Sequence, residues 1–283
     1  MAPARSCPMK TVRALILTAA VAATLTACNR DRETAPEAET SAAPGAVSTT
    51  AAAPLEFDSD TPFAKVKLTL PEAIKAQPQL HAALYAKEVQ TLRQFVEGAQ
   101  GEQAEAGFDE QRPPYEKTVA VAAAGETSGL LSLKRVDFDY SGGAHPNTIT
   151  TGILWDKTAK AQVPGTALFR AGADMTALDR ALCSALNTAK KARSPDSAPV
   201  TLTGSDWSCP RAAATPFVLA GGSEPGKAAG LIFLVGPFQI GPYSDGAYEI
   251  ALPASTFQSL LAPAWAGQFG GTLARTGDVT PTR

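Results

Sequence analysis

The sequence predicts an α+β protein of two interlocked modules, each a mostly antiparallel sheet with one helix packed on it. Three observations carry that expectation. Two segments repeat apolar residues at helical steps: Tyr85, Val89, Leu92 and Val96 within 79–97, then Met175, Leu178, Leu182, Leu186 and Ala189. Around both helices, short runs alternate apolar and polar residues with the period of half-buried strands. Glycine- and proline-rich stretches, above all 141–147 and 236–246, punctuate those runs as sheet-end turns do. The expected organisation is a leader at 1–27, a tether at 28–56, modules at 57–158 and 159–265, and a loose tail at 266–283.

The leader carries Arg5, Lys10 and Arg13 before a charge-free run at 14–25. That run is shorter than the ~18–20 residues of a spanning helix, so it reads as a secretory signal peptide. Its end, Leu25-Thr26-Ala27-Cys28, resembles the lipobox of bacterial lipoproteins, with Cys28 as the lipid acceptor. Asn29 follows where an inner-membrane lipoprotein usually has aspartate, so the resemblance implies the outer membrane, periplasmic face. Residues 29–56 are Ala, Pro, Thr, Ser and Glu with few large apolar side chains, the composition of a tether. Removing 1–27 takes away three basic residues and no acidic one, moving the formal charge from −2 to −5. A mildly acidic chain with scattered Lys and Arg has no footprint for nucleic acid. The expected state is a monomer. Once Cys7 leaves with the leader and Cys28 takes lipid, Cys183 and Cys209 remain, in an oxidising compartment. Spaced 26 apart, they predict a structural disulfide rather than a redox or metal pair.

In chain order, Ala64 to Leu70 alternates as a strand that Pro71 ends. His81 falls one turn before Tyr85 on the first helical stripe and is expected at the core boundary. Residues 98–114 are polar and glycine-bearing and read as a long loop. Val119 and Val121, a Gly125–Gly129 turn, then Leu131 and Leu133 predict a hairpin. The apolar phase then shifts by one to Val136, Phe138 and Tyr140, which predicts a β-bulge that re-aims Asp137 and Asp139. Ile149, Ile153 and Trp155 make the next strand. Asp174 or Thr176 caps the second helix, Lys190, Lys191 and Arg193 suit the negative end of its dipole, and Pro195 closes it. Strands at 217–219, 231–235 and 248–252 follow, the middle one apolar throughout and so expected to be central. A short helix is expected at 255–261.

Tyr140-Ser-Gly-Gly-Ala-His-Pro-Asn147, and the later Phe238-Gln-Ile-Gly-Pro-Tyr-Ser-Asp-Gly-Ala-Tyr248, resemble the extracytoplasmic part of the RsiV anti-sigma factors. They also resemble the non-catalytic N-terminal part of PdaC-type peptidoglycan deacetylases. The resemblance covers roughly 57–263. It implies two modules and the sensing of a lysozyme-like protein, so a non-catalytic binding module for a muramidase is the leading expectation. A cell-wall glycan binder is the alternative, and an unrecognised hydrolase the third. Two histidines and the absence of nucleophile-elbow, zincin and phosphate-loop motifs predict no catalytic residue, metal or cofactor. Asp137, Asp139, Asp156, Asp245 and Glu249 offer carboxylates, and alternating acids on one strand read as a solvated face. The expected binding residues are His145, Gly142, Gly143, Asn147, Pro242, Tyr243 and Asp245, on two turns that form one face.

Overall fold

The computed structural model describes residues 53–281 apart from 108, 110 and 205. The leader, Cys28 and nearly all of the tether lie outside the described residues. A six-stranded sheet runs in the order β1 (Glu56–Asp60), β2 (Ala64–Thr69), β3 (Tyr115–Glu126), β4 (Leu130–Tyr140), β5 (Asn147–Asp156) and β6 (Ala161–Gln162). All neighbours are antiparallel except β2 and β3. A parallel pair needs a long crossover, and α1 (Pro78–Glu105) supplies it. Leu80, Val89 and Leu92 of α1 share a core with Val66, Leu68, Val119, Val121, Leu131, Leu133, Ile153 and Trp155. The second sheet runs β10 (Gly277–Asp278), β9 (Tyr248–Pro253), β8 (Ala228–Val235), β7 (Phe217–Gly221), antiparallel throughout. α2 (Thr176–Arg193) buries Leu178, Leu182 and Leu186 with Leu231, Phe233, Ile250 and Leu252. Seven of the eight residues of β8 are buried, as a central strand requires.

The modules interlock through β7. Leu130 and Leu154 of the first sheet belong to the second core, and the outward N–H of Leu219 donates to Ser132 Oγ at 3.0 Å. A Cβ on Gly125 would stand 2.4 Å from the Leu219 carbonyl oxygen, and one on Gly152 1.9 Å from that of Phe217. Only glycine lets one backbone cross the other sheet this closely.

Four expectations are corrected. α1 does not end near residue 97 but continues to Glu105. Its last turns are anchored by Ala99 and by Gln103, which is buried and donates to the Phe63 carbonyl at 2.9 Å. The bulge lies on β3, between Ala123 and Gly125, while β4 pairs with β5 without interruption. The change of apolar phase in β4 is a change of which face is covered: Leu130 to Leu133 are all buried, and the rest of the strand is half-buried. The helix expected at 255–261 is two 3-10 turns, Ala254–Thr256 and Gln258–Leu260. They break at Phe257, whose fully buried ring packs edge-on against Phe169 and Phe269. The tail expected to be loose pairs with β9 as β10 and is tied by Asp278 and Thr280 to Arg193. Its glycines and threonines are turn and edge chemistry rather than a sign of disorder.

His81 sits where expected, buried, with Nε2 donating to the Pro54 carbonyl at 2.7 Å. Asp174 Oδ1 accepts from Thr176 N at the start of α2. Among the described residues no helix is long and apolar enough to cross a membrane.

Candidate recognition face

The connection from β4 to β5 turns at Gly142 and Gly143, with φ of 92° and 102°, values that side-chain-bearing residues avoid. The Tyr140 hydroxyl donates to the Gly143 carbonyl at 3.0 Å, and Asn147 stands opposite Asp139 in the ladder. These groups shape the turn. His145 is left exposed at its tip.

The second turn is held from beneath by α2. Lys190, only 5% exposed, donates from Nζ to the Ile240 carbonyl at 2.7 Å and pairs with Asp245 at 3.2 Å. A Cβ on Gly241 would meet Asp245 Oδ2 at 2.2 Å and Lys190 Nζ at 2.9 Å, so the ion pair occupies the space a larger residue would need. Arg193 donates to the Ala247 carbonyl at 2.8 Å and lies over the Tyr248 ring at 3.8 Å. Lys190 and Arg193, expected to serve the helix dipole, therefore fasten the turn. Asp245, expected on the binding face, lines both flanking clefts and also anchors the turn through the buried ammonium.

The two turns, 97 positions apart in sequence, meet. The Tyr243 hydroxyl donates to the Pro146 carbonyl at 3.3 Å, and the rings of His145 and Tyr243 stack at 4.6 Å with 10° between planes. Phe238 lies 5.5 Å from Tyr243 and 5.7 Å from His145. Trp207 stacks on Phe238 at 6.5 Å. Phe238 is 50% exposed and Trp207 38%, so the four rings form an aromatic patch open to solvent. Neither Phe238 nor Trp207 was among the expected site residues. The signal for Trp207 was its place two residues before Cys209, since the Cys183–Cys209 disulfide pins that loop to α2. Asn187 also clasps the Val200 backbone, accepting from its N–H and donating to its carbonyl. Two clefts flank the patch, one of 770 Å³ lined by Thr148, Arg193, Tyr243 and Asp278, the other of 540 Å³ lined by Lys190, Asp206, Trp207 and Pro242.

Three of the five carboxylates, Asp137, Asp156 and Glu249, are engaged away from the turns. Asp137 is not on a solvated face. It points with Arg135 toward α1, where the guanidinium makes two bonds of 2.6 Å to Asp137 and bonds of 2.6 and 2.9 Å to Glu88. The Asp137 hydrogen bonds hold the Arg135 pKa above its ordinary value against the opposing effect of burial, and Glu88 adds to the rise. Glu249 pairs with Lys134 at 2.8 Å, and Asp156 accepts from the N–H groups of Thr158 and Ala159. Among the described residues no group of three His, Cys, Asp or Glu is placed to hold a metal ion.

No curated protein matches the chain. Among solved structures it is similar to a DUF3298-family protein from Bacteroides fragilis, with 17% identity and a TM-score of 0.47 over 72% of this chain and 87% of that one. It is likewise similar to a DUF3298-family protein from Pseudomonas aeruginosa, with 15% identity and a TM-score of 0.48 over 76% of this chain and 94% of that one. Residues 57–148, from β1 through the His145 turn to the first residues of β5, match the family model described as deacetylase PdaC. The resemblance read from the turn motif therefore holds over the first module, and the chain carries a PdaC-like domain at 57–148.

Proposed function

We propose that the protein is a non-catalytic recognition module whose binding face is the aromatic patch, and that its partner is a basic, muramidase-type protein of the cell envelope. The meeting of the His145 and Tyr243 turns in one stacked, exposed cluster carries the reading. Trp and Tyr on rigid supports are among the residues that dominate protein interfaces, and here the exposed Trp207 and the half-buried Tyr243 are held in place by ladder, disulfide and buried ion pair. The acidic net charge favours a basic partner through a long-range attraction that salt weakens. The partner class comes from the resemblance of both turn motifs.

The test is titration of the full chain against a basic lysozyme at low and high salt. His145→Ala and Tyr243→Ala are each expected to weaken binding about tenfold, or ~1.4 kcal/mol, while the melting temperature falls by no more than ~4 °C. Loss of fold stability with affinity intact would assign the turns to structure alone. Absence of binding at low salt would remove the muramidase and leave wall glycan as the ligand to test.

The same proposal includes a lipid anchor in the envelope, which the signal-peptide pattern of 1–27 and the lipobox-like Leu25-Thr26-Ala27-Cys28 support. Cys28→Ala is expected to give an unprocessed or mislocalised precursor in fractionated cells. A soluble, normally cleaved product would refute the anchor.

A further inference from the structure

We propose that Phe238 is the anchor residue of this face, a projecting ring that fills a shallow apolar slot on the partner; the inference rests on reading the face as a protein-binding surface. Phe238 has φ of 65°, in the left-handed region. A bulky side chain there is an outlier, and glycine or asparagine would take the position at far less strain. Lys160 is the other described non-glycine residue with positive φ, but it sits exposed in the turn joining β5 to β6, where hairpin geometry demands such a residue.

Nothing in the turn requires the Phe238 side chain. Gly236 N–H donates to Gln239 Oε1 at 3.0 Å, Ile240 is buried, and Lys190 holds the Ile240 carbonyl. Burial does not explain the ring either, since half of it faces solvent. What the strained backbone achieves is placement: it sets the ring between Trp207 on one side and the Tyr243–His145 stack on the other. Strain that persists without a local structural reason points to a functional constraint. An exposed aromatic ringed by other aromatics is the geometry of an interface hot spot, whose neighbours exclude water once the partner docks.

The experiment measures melting temperature and lysozyme affinity at low salt on the full chain, for the wild type, Phe238→Gly, Phe238→Tyr and Tyr243→Ala. Phe238→Gly is expected to bind at least about tenfold more weakly, with a melting temperature that rises or falls by no more than ~2 °C because strain relief offsets the lost contacts. Phe238→Tyr, which keeps the ring, is expected to stay within about threefold of the wild type. Phe238→Gly affinity within about twofold of the wild type overturns the proposal, as does a fall in its melting temperature of ~5 °C or more, whatever its affinity. If Tyr243→Ala loses binding while Phe238→Gly does not, the anchor is wrong and the face stands. If the wild type itself does not bind, anchor and partner fall together.

Discussion

Replacing Arg135 with alanine is expected to cost about 3–5 kcal/mol, because it strands two carboxylates rather than merely removing one contact. Glu88 is 1% exposed and Asp137 21%. Both depend on one guanidinium that presents its planar fork to Asp137 on its own strand and to Glu88 across the interface with α1. Without it, the buried Glu88 carboxylate loses its partner and cannot regain the water it had in the unfolded chain, so the unfolded chain is favoured. Arg135→Lys is expected to recover less than half of the loss, since an ammonium cannot make both bidentate contacts. The triple change Arg135→Met, Glu88→Leu, Asp137→Asn removes the stranded charges and is expected to recover most of it. Denaturant melts of the single, Lys and triple variants check this. A loss below about 1 kcal/mol for Arg135→Ala would mean that α1 is held by its apolar stripe alone.

Features written in a local period were legible in the sequence. The stripes of both helices, the β3–β4 hairpin and the central β8 were all readable, because periods of 3.6 and 2 survive without knowledge of the partner surface. The disulfide was legible by elimination, since only Cys183 and Cys209 outlast the expected maturation. Features set by a distant partner were not. The end of α1 depends on Gln103 reaching a carbonyl 40 positions away. In β4 the apolar pattern shows which residues want cover but not that Leu130–Leu133 are covered twice. Asp137 read as part of a solvated face because Glu88, one residue off the apolar stripe, is invisible as the second partner of Arg135 until the helix is docked. At the recognition face the turns were legible through glycine and proline, and their meeting was expected. The exposure of Phe238 was not, since an aromatic two residues before the buried Ile240 reads as core; only the left-handed backbone turns it outward.

The recognition face stands on Lys190, and Lys190→Met is expected to cost about 2–4 kcal/mol while also disordering the Tyr243 turn. The methionine keeps the volume and the apolar stem but removes the only described side-chain donor to the Ile240 carbonyl and the ammonium that pairs with Asp245. Asp245 is 24% exposed and recovers part of its solvation, so the loss should fall below that at Arg135. Gly241 lies against this ion pair, so the backbone that leads into Pro242 and Tyr243 relaxes once the pair is gone. Stability and binding should therefore fall together here, unlike at His145, Tyr243 and Phe238, where binding falls with the fold intact. Coupling can be read directly: Asp245→Asn alone should cost less, and adding it to Lys190→Met should cost almost nothing more, because both changes break one interaction. Urea melts and lysozyme titrations of the three variants make the comparison. Additive losses, or a Lys190→Met protein that keeps its affinity, would show that the turn is positioned by Arg193 and the Pro146 contact instead of by the buried pair.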